Sequence, residues 1–192
     1  MNSNKLKTYN NPAPGRILIS EPSLKDFYFS RSVVLLAEHT TEEGAQGLII
    51  NKPLNIKLNE IVKDFPKTDF PVFLGGPVHP DRLFYLHTLG ERIPGSELIY
   101  DNLYWGGDIQ KLIDLIELKL VNTEQVRFFI GYSGWSPNQL ENELSQKSWI
   151  ISNATKSSIM ESEPEKLWSN MIRLLGNDYA IWANYPADPI LN

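Results

Sequence analysis

Short apolar runs rich in β-branched residues dominate the first half of the chain. RILIS at 16–20 and SVVLLAEH at 32–39 are bounded by proline and polar residues, which is typical of strands covered on both faces. QGLIINKP at 46–53 follows the turn sequence TTEEGA, so the pattern predicts a hairpin over 32–51. PVFLGGP and RLFYLHT, on either side of residue 78, predict two further short strands.

Helical spacing and capping signals become clearer in the second half. Apolar residues over 58–65 predict a helix that a proline stops, and Asp108 is expected to cap the helix DIQKLIDLIELKL. SPNQ at 136–139 and SEPE at 162–165 are capping boxes, and Gly176 is expected to end the last helix. The strands VRFFIGY and SWIIS lie between these helices. A strand-rich first half followed by mixed elements predicts an α+β fold.

Composition bounds the number of domains and the compartment. With 192 residues and 42% hydrophobic content, the chain is long enough for one core and short for two. We expect a polar, flexible tail over 1–14 and a single domain over 15–192. The sequence shows neither an 18-residue apolar run nor a secretion signal, so a cytoplasmic protein without membrane contact is expected. The absence of cysteine excludes disulfides, thiolate catalysis and cysteine-based metal sites.

Net charge bears on the class of partner. The formal charge is −5, so nucleic acid would be repelled on average and could bind only at a local basic patch. The densest basic stretch, at 5–7, is too thin for that. Direct binding of nucleic acid is therefore not expected.

The stretch GGPVHPDRLFYLH, at 75–87, concentrates glycines, a charged pair and two of the three histidines. A phosphate loop needs successive backbone N–H groups before a helix, whereas two prolines here remove donors and a strand is predicted next. A metal site would join His79, Asp81 and His87, which a straight strand does not bring together. The alternatives are a structural turn and a histidine bonded to a neighbour. No metal or cofactor is predicted.

GYSGW at 131–135 is the best lookalike of a catalytic motif, because it lies between an apolar strand and a capped helix. A nucleophile elbow has the pattern G-x-S-x-G, and here the closing glycine is misplaced. The alternative to a nucleophilic Ser133 is a small residue at a tight turn. No residue is assigned as catalytic.

Arginines at the ends of apolar runs indicate a polar pocket. Arg31 immediately precedes a nearly continuous apolar strand, and Arg82 follows Asp81 at the start of another. A guanidinium at the edge of a core needs a carboxylate or a ligand oxygen. A shared pocket and separate local salt bridges remain the two interpretations.

Three segments, in this order, resemble the bacterial YqgE/AlgH family: FSRSVVLLAEHTTEEGAQGLIINKPL, FLGGPVHPDRLFYLH and GYSGWSPNQLENELSQKSWI. The resemblance runs from about residue 15 to residue 182. It implies a compact α+β domain in which a bifurcated β-sheet curls into a pseudo-barrel flanked by helices. It implies no accepted enzyme activity and no recognised DNA-binding motif. The family's label of transcriptional regulator comes from an association with alginate production in pseudomonads.

The resemblance also implies roles by position. In relatives the position of Ser133 is commonly alanine and that of His79 is variable, which disfavours both the nucleophile and the two-histidine metal site. The residues expected to build the turns are Gly75, Gly76, Pro77, Gly131, Gly134 and Trp135. The candidates for contact with a ligand or partner are Arg31, Asn51, Asp81, Arg82, His87 and Gln139.

Two functions follow from these residues. The first is a non-enzymatic regulatory protein that binds an unknown small anionic ligand or a protein partner through the polar set at the ends of apolar elements. The second is a hydrolase or phosphate-ester enzyme with His87 as general base and Arg31 or Arg82 stabilising an oxyanion or phosphate.

Overall fold

The computed structural model describes residues 6–155, 157–161 and 163–184. The strands are β1 (Thr8–Tyr9), β2 (Arg16–Ser20), β3 (Val33–Thr40), β4 (Gly44–Ile49), β5 (Pro53–Leu54), β6 (Val72–Leu74), β7 (Val78–His87), β8 (Glu97–Tyr100), β9 (Leu103–Trp105), β10 (Val126–Trp135) and β11 (Trp149–Asn153). The helices are α1 (Leu58–Ile61), α2 (Ile109–Glu117), α3 (Gln139–Ser145), α4 (Pro164–Leu175) and α5 (Asn177–Ala180). Short 3-10 turns cover Gly90–Arg92 and Trp182–Asn184, and a π-helical turn covers Ser157–Glu161.

The sheet forks at β10. Its main path runs β1-β11-β2-β3-β4-β10-β7-β9-β8. On one edge β10 pairs with β7 in antiparallel register. On the other edge it pairs in parallel with β6 along 128–130 and in antiparallel with β4 along 133–135. The expected α+β domain with a bifurcated sheet is confirmed, and a single long strand creates the fork.

The sheet curls but does not close. The Tyr100 hydroxyl, at the end of β8, donates a hydrogen bond to the carbonyl oxygen of Ala154, just beyond β11 (3.1 Å). The edge strand β8 therefore approaches the chain that follows β11, the neighbour of the other edge strand β1, through a side chain. Among the described residues no backbone ladder joins β8 to β11, so the pseudo-barrel is an open one.

Helices cover both faces of β2 and β3, which explains why their sequences are apolar at nearly every position. Ile17 and Leu35 pack with Trp168 of α4 on one face. Leu18 and Val34 pack with α3 on the other face. A third apolar cluster lies under α2, around Phe128 of β10. No helix among the described residues is long and apolar enough to cross a membrane.

Two capping predictions hold, whereas one helix end and one helix start differ from the prediction. Asp108 accepts hydrogen bonds from the first turn of α2, and Gly176 ends α4 with φ of 129°. The helix predicted over 58–65 stops at Ile61, since Val62 is already extended. α3 begins at Gln139 because Asn138 adopts a left-handed conformation, so only half of that capping box forms. Ser162, in the other predicted box, lies outside the described residues.

Part of the predicted flexible tail is a strand. β1 pairs with β11 at Ser152 and Ile151, and the Ser152 hydroxyl donates a hydrogen bond to the carbonyl oxygen of Lys7 (2.7 Å). The physical reason is that β11 would otherwise expose an edge of unpaired backbone groups. The prediction of a loose segment is therefore wrong at Thr8–Tyr9, whose polar composition concealed the pairing. The pattern also missed the short strands β5, β8 and β9.

Candidate functional site

His87 is a satisfied core histidine. Its side chain is fully buried. Nδ1 accepts a hydrogen bond from the backbone N–H of Leu89 (3.2 Å), so the proton resides on Nε2, which donates to the carbonyl oxygen of Gly106 (3.0 Å). The ring stacks on Tyr104, and burial lowers the pKa of His87 below its ordinary value. Both nitrogens are occupied and solvent is excluded, which argues against a general base.

Arg31 and Asn51 form one local unit. The Asn51 Oδ1 accepts from the backbone N–H of Val33 (2.7 Å), and its Nδ2 donates to the carbonyl oxygen of Arg31 (2.9 Å). Arg31 has a left-handed backbone (φ of 52°), and the amide of Asn51 holds that turn in place. The Arg31 guanidinium lies 5.0 Å from the ring centre of Trp168. The contacts of this unit and those of His87 involve different parts of the chain.

The remaining predicted site residues do not complete a shared pocket. Asp81 and Arg82 are exposed on the first half of β7. Gln139 is also exposed, where its Oε1 accepts from the backbone N–H of Ser136 and its Nε2 donates to Glu143. Among the described residues neither Asp81 nor Arg82 forms an ion pair, so this set supports neither the shared pocket nor the separate local salt bridges.

The structure gives no support to the metal and phosphate interpretations of the GGPVHPDRLFYLH stretch. β7 is a single strand, so His79 and His87 lie eight residues apart along an extended chain, on the order of 26 Å. Among the described residues no group of three or more histidine and carboxylate side chains could hold a metal ion. The glycines precede this strand rather than a helix, so they present no helix N-terminus to a phosphate.

The glycines instead allow two backbone segments to cross. A Cβ on Gly75 would lie 2.1 Å from the carbonyl oxygen of Gly131, and one on Gly131 would lie 2.5 Å from that of Gly76. Ser133 belongs to the same crossing: it is fully buried within β10, and its hydroxyl donates to the carbonyl oxygen of Gly75 (3.0 Å). A strand residue in this position is not a nucleophile elbow.

Glu143 of α3 joins three polar side chains. One carboxylate oxygen accepts from the indole N–H groups of Trp135 (2.9 Å) and Trp149 (2.7 Å). The other accepts from the side chain of Gln139 (3.0 Å). The motif GYSGWSPNQLENE therefore builds a structural latch between α3, β10 and β11.

Arg127 of β10 is the side chain that the sequence interpretation missed. It is 95% buried, with a relative exposure of 5%. One guanidinium nitrogen, Nη1, donates to the carbonyl oxygen of Ile50 (3.2 Å), and the guanidinium lies 4.4 Å from the ring centre of Phe73. Within the described part of the chain no carboxylate forms an ion pair with it. A single charge inside the apolar run VRFFIGY was the signal that could have found it.

Burial leaves Arg127 charged but poorly compensated. Desolvation lowers the pKa of the Arg127 guanidinium to about 10, still well above neutral pH. The Ile50 carbonyl and the Phe73 ring offset part of the desolvation cost. Within the described part of the chain, no nitrogen of Arg127 is both fully enclosed and without a hydrogen-bond partner, so its remaining N–H groups face solvent. A guanidinium with N–H groups that reach the surface of a cleft is a candidate for binding an anion.

Arg127 lines a cleft between β10 and the start of α4. The cleft has a volume of about 620 Å³. Its lining residues are Pro53, Asp69, Pro71, Phe73, Thr123, Glu124, Arg127, Met160, Glu163, Pro164 and Glu165. A larger groove of about 860 Å³ runs along β1 and β11, but its charged lining residues, Glu21, Lys25 and Lys147, are at least partly exposed. The smaller cleft is therefore the better candidate site.

These features define an α+β domain built on a forked, open sheet, with a buried arginine beside a cleft. The chain belongs to the AlgH-like family, whose model matches residues 17–180. It is similar to UPF0301 proteins of Parabacteroides distasonis, at 45% identity over 94% of this chain and 92% of the relative, and of Bacteroides fragilis, at 46% over the same shares.

Two solved structures share the fold. The solution structure of the AlgH protein from Pseudomonas aeruginosa matches with a TM-score of 0.71 and 28% identity, over 90% of this chain and 94% of that one. A crystal structure of a Corynebacterium diphtheriae protein matches with a TM-score of 0.75 and 20% identity, over 93% and 95% of the two chains. The family expected from the three sequence segments is confirmed.

Proposed function

We propose that this chain is a cytoplasmic, non-enzymatic regulatory protein that binds a small ligand with an anionic group in the Arg127 cleft. The observation that carries the proposal is the buried guanidinium of Arg127, which has no carboxylate partner among the described residues and lies beside an open cleft. A carboxylate or phosphate there would compensate the charge by accepting hydrogen bonds from the guanidinium N–H groups that do not bond to the Ile50 carbonyl.

This site replaces the one expected from the sequence. The amide of Asn51 is occupied by the backbone of Arg31 and Val33. The ring of His87 is likewise enclosed by backbone groups, so these two side chains are not favoured primary contacts for a ligand. Arg127, by contrast, combines charge, burial and an adjacent cleft. The regulatory and non-enzymatic parts of the proposal both rest on the family resemblance, which implies a regulator label and no accepted enzyme activity.

The test is a titration of the purified protein with benzoate and, separately, with inorganic phosphate, followed by NMR of the Arg127 side-chain N–H signals and by calorimetry. We expect saturable binding of at least one anion, lost in Arg127→Met and retained in the control Arg82→Met, which changes an exposed arginine. Equal binding by both variants, or none by the wild type, would refute the proposal. Native mass spectrometry of freshly purified protein would show whether a natural ligand remains bound.

A further inference from the structure

The rim of the Arg127 cleft has the opposite charge to its floor. Four exposed carboxylates line it, from Asp69, Glu124, Glu163 and Glu165. None of them is an ion-pair partner of Arg127, and Glu163 instead pairs with Lys166, at 2.5 Å. The cleft is therefore positive where it is buried and negative where it meets solvent.

This order of charges discriminates between ligands. A simple anion must pass and then remain near the rim carboxylates, whose repulsion acts through water and is screened by salt, so it lowers the affinity by a few-fold. A ligand with a cationic group at its outer end would gain from the same charges. The separation of floor and rim thus favours a molecule with both charges.

The walls between floor and rim are largely apolar. Phe73 and Met160 are buried and line the cleft together with Pro53, Pro71 and Pro164. Apolar walls with a few placed charges are typical of sites that orient a small molecule. They fit a hydrocarbon or aromatic segment between the two charged ends of the ligand.

We infer that the cleft selects zwitterions, namely apolar amino acids or short peptides, whose carboxylate meets Arg127 and whose ammonium group faces the rim carboxylates. The inference rests on the proposed function and adds the ligand class to it. Free amino acids and short peptides present the same chemistry, and they differ in the separation of their two charges.

The experiment compares four probes by calorimetry: phenylalanine, the dipeptide Ala-Phe, N-acetylphenylalanine and phenethylamine. We expect phenylalanine or Ala-Phe to bind about tenfold or more tightly than N-acetylphenylalanine, which lacks the ammonium charge, and than phenethylamine, which lacks the carboxylate. The tighter of the two zwitterions identifies the source. Arg127→Met should abolish binding of every carboxylate probe.

The double variant Asp69→Asn with Glu124→Gln supplies a readout specific to the rim. The double variant should bind the zwitterion more weakly and N-acetylphenylalanine more tightly, so the ratio of the two affinities should fall several-fold. The control Glu117→Gln changes an exposed carboxylate of α2 that does not line the cleft. It should leave that ratio unchanged. If N-acetylphenylalanine binds as tightly as the zwitterions, in an Arg127-dependent way, the inference is wrong and the anion site stands. If no carboxylate probe binds, the inference fails, and the proposed function fails with it only if inorganic phosphate does not bind either.

Discussion

The guanidinium of Arg127 lies 4.4 Å from the ring centre of Phe73, on the neighbouring strand β6. The two side chains stand next to each other because β6 and β10 pair in parallel where the sheet forks. A cation over an aromatic face gains some attraction, on the order of 1–2 kcal/mol when desolvated. That gain offsets only part of the cost of burying the charge.

Replacing Arg127 by methionine should therefore separate stability from binding. We expect the free energy of unfolding of Arg127→Met to lie within about 1 kcal/mol of the wild type or above it, because an uncompensated buried charge is removed while the volume over Phe73 is kept. Arg127→Ala should be less stable than Arg127→Met, since it leaves a cavity. Urea denaturation measures both. A loss of more than about 3 kcal/mol in Arg127→Met would show that the arginine is chiefly structural.

The crossing of Gly75 and Gly131 should tolerate no side chain. A methyl group on Gly75 would lie 2.1 Å from the Gly131 carbonyl oxygen, so Gly75→Ala must displace one backbone segment and should cost about 3 kcal/mol or more. The matched control is Gly95→Ala, where the added methyl group meets nothing within 4 Å and only the left-handed backbone is strained; about 1 kcal/mol is expected there. Thermal and urea unfolding measure the stability of the two variants. Equal destabilisation of both would contradict the close approach of the two backbone segments.

Glu143 should be the most sensitive carboxylate of α3. Glu143→Ala leaves the indole N–H groups of Trp135 and Trp149 without their acceptor, and both indoles are buried. Two unsatisfied buried donors should lower the free energy of unfolding by about 2–4 kcal/mol. The control is Glu141→Ala, on the same helix, which removes a partly exposed contact to His39 and should cost less than about 1 kcal/mol. Similar losses in the two variants would disprove the latch.

His87 should make the protein sensitive to acid. Because burial lowers its pKa in the folded state, the unfolded chain binds a proton more readily below about pH 6.5, and stability falls as the pH decreases through that range. His87→Gln keeps a donor for Gly106 and an acceptor for Leu89 without titrating. The urea midpoint should decrease more between pH 7.5 and pH 5.5 in the wild type than in His87→Gln. Parallel decreases would rule out His87 as the source.

Several elements could be predicted from local pattern because their causes are local. The runs around Ile17 and Val34 are apolar at consecutive positions, which indicated strands covered on both faces, and the α3 and α4 faces of the sheet confirm it. Asp108 predicted the start of α2, because its side chain can accept hydrogen bonds from the first turn of a helix. The three family segments likewise identified the α+β fold.

The sequence by itself thus determined the main strands, the helices with strong caps and the family. Only the tertiary structure decided which polar residues meet. Arg127 reaches Ile50 across 77 residues of chain, and β1 pairs with β11 across more than 140. Such contacts depend on how the sheet forks and curls, which no local period encodes. For the same reason the local pattern did not separate His87 from Arg31, which both lie at the ends of apolar runs but have different environments in the structure. The candidate site was defined instead by the buried charge of Arg127.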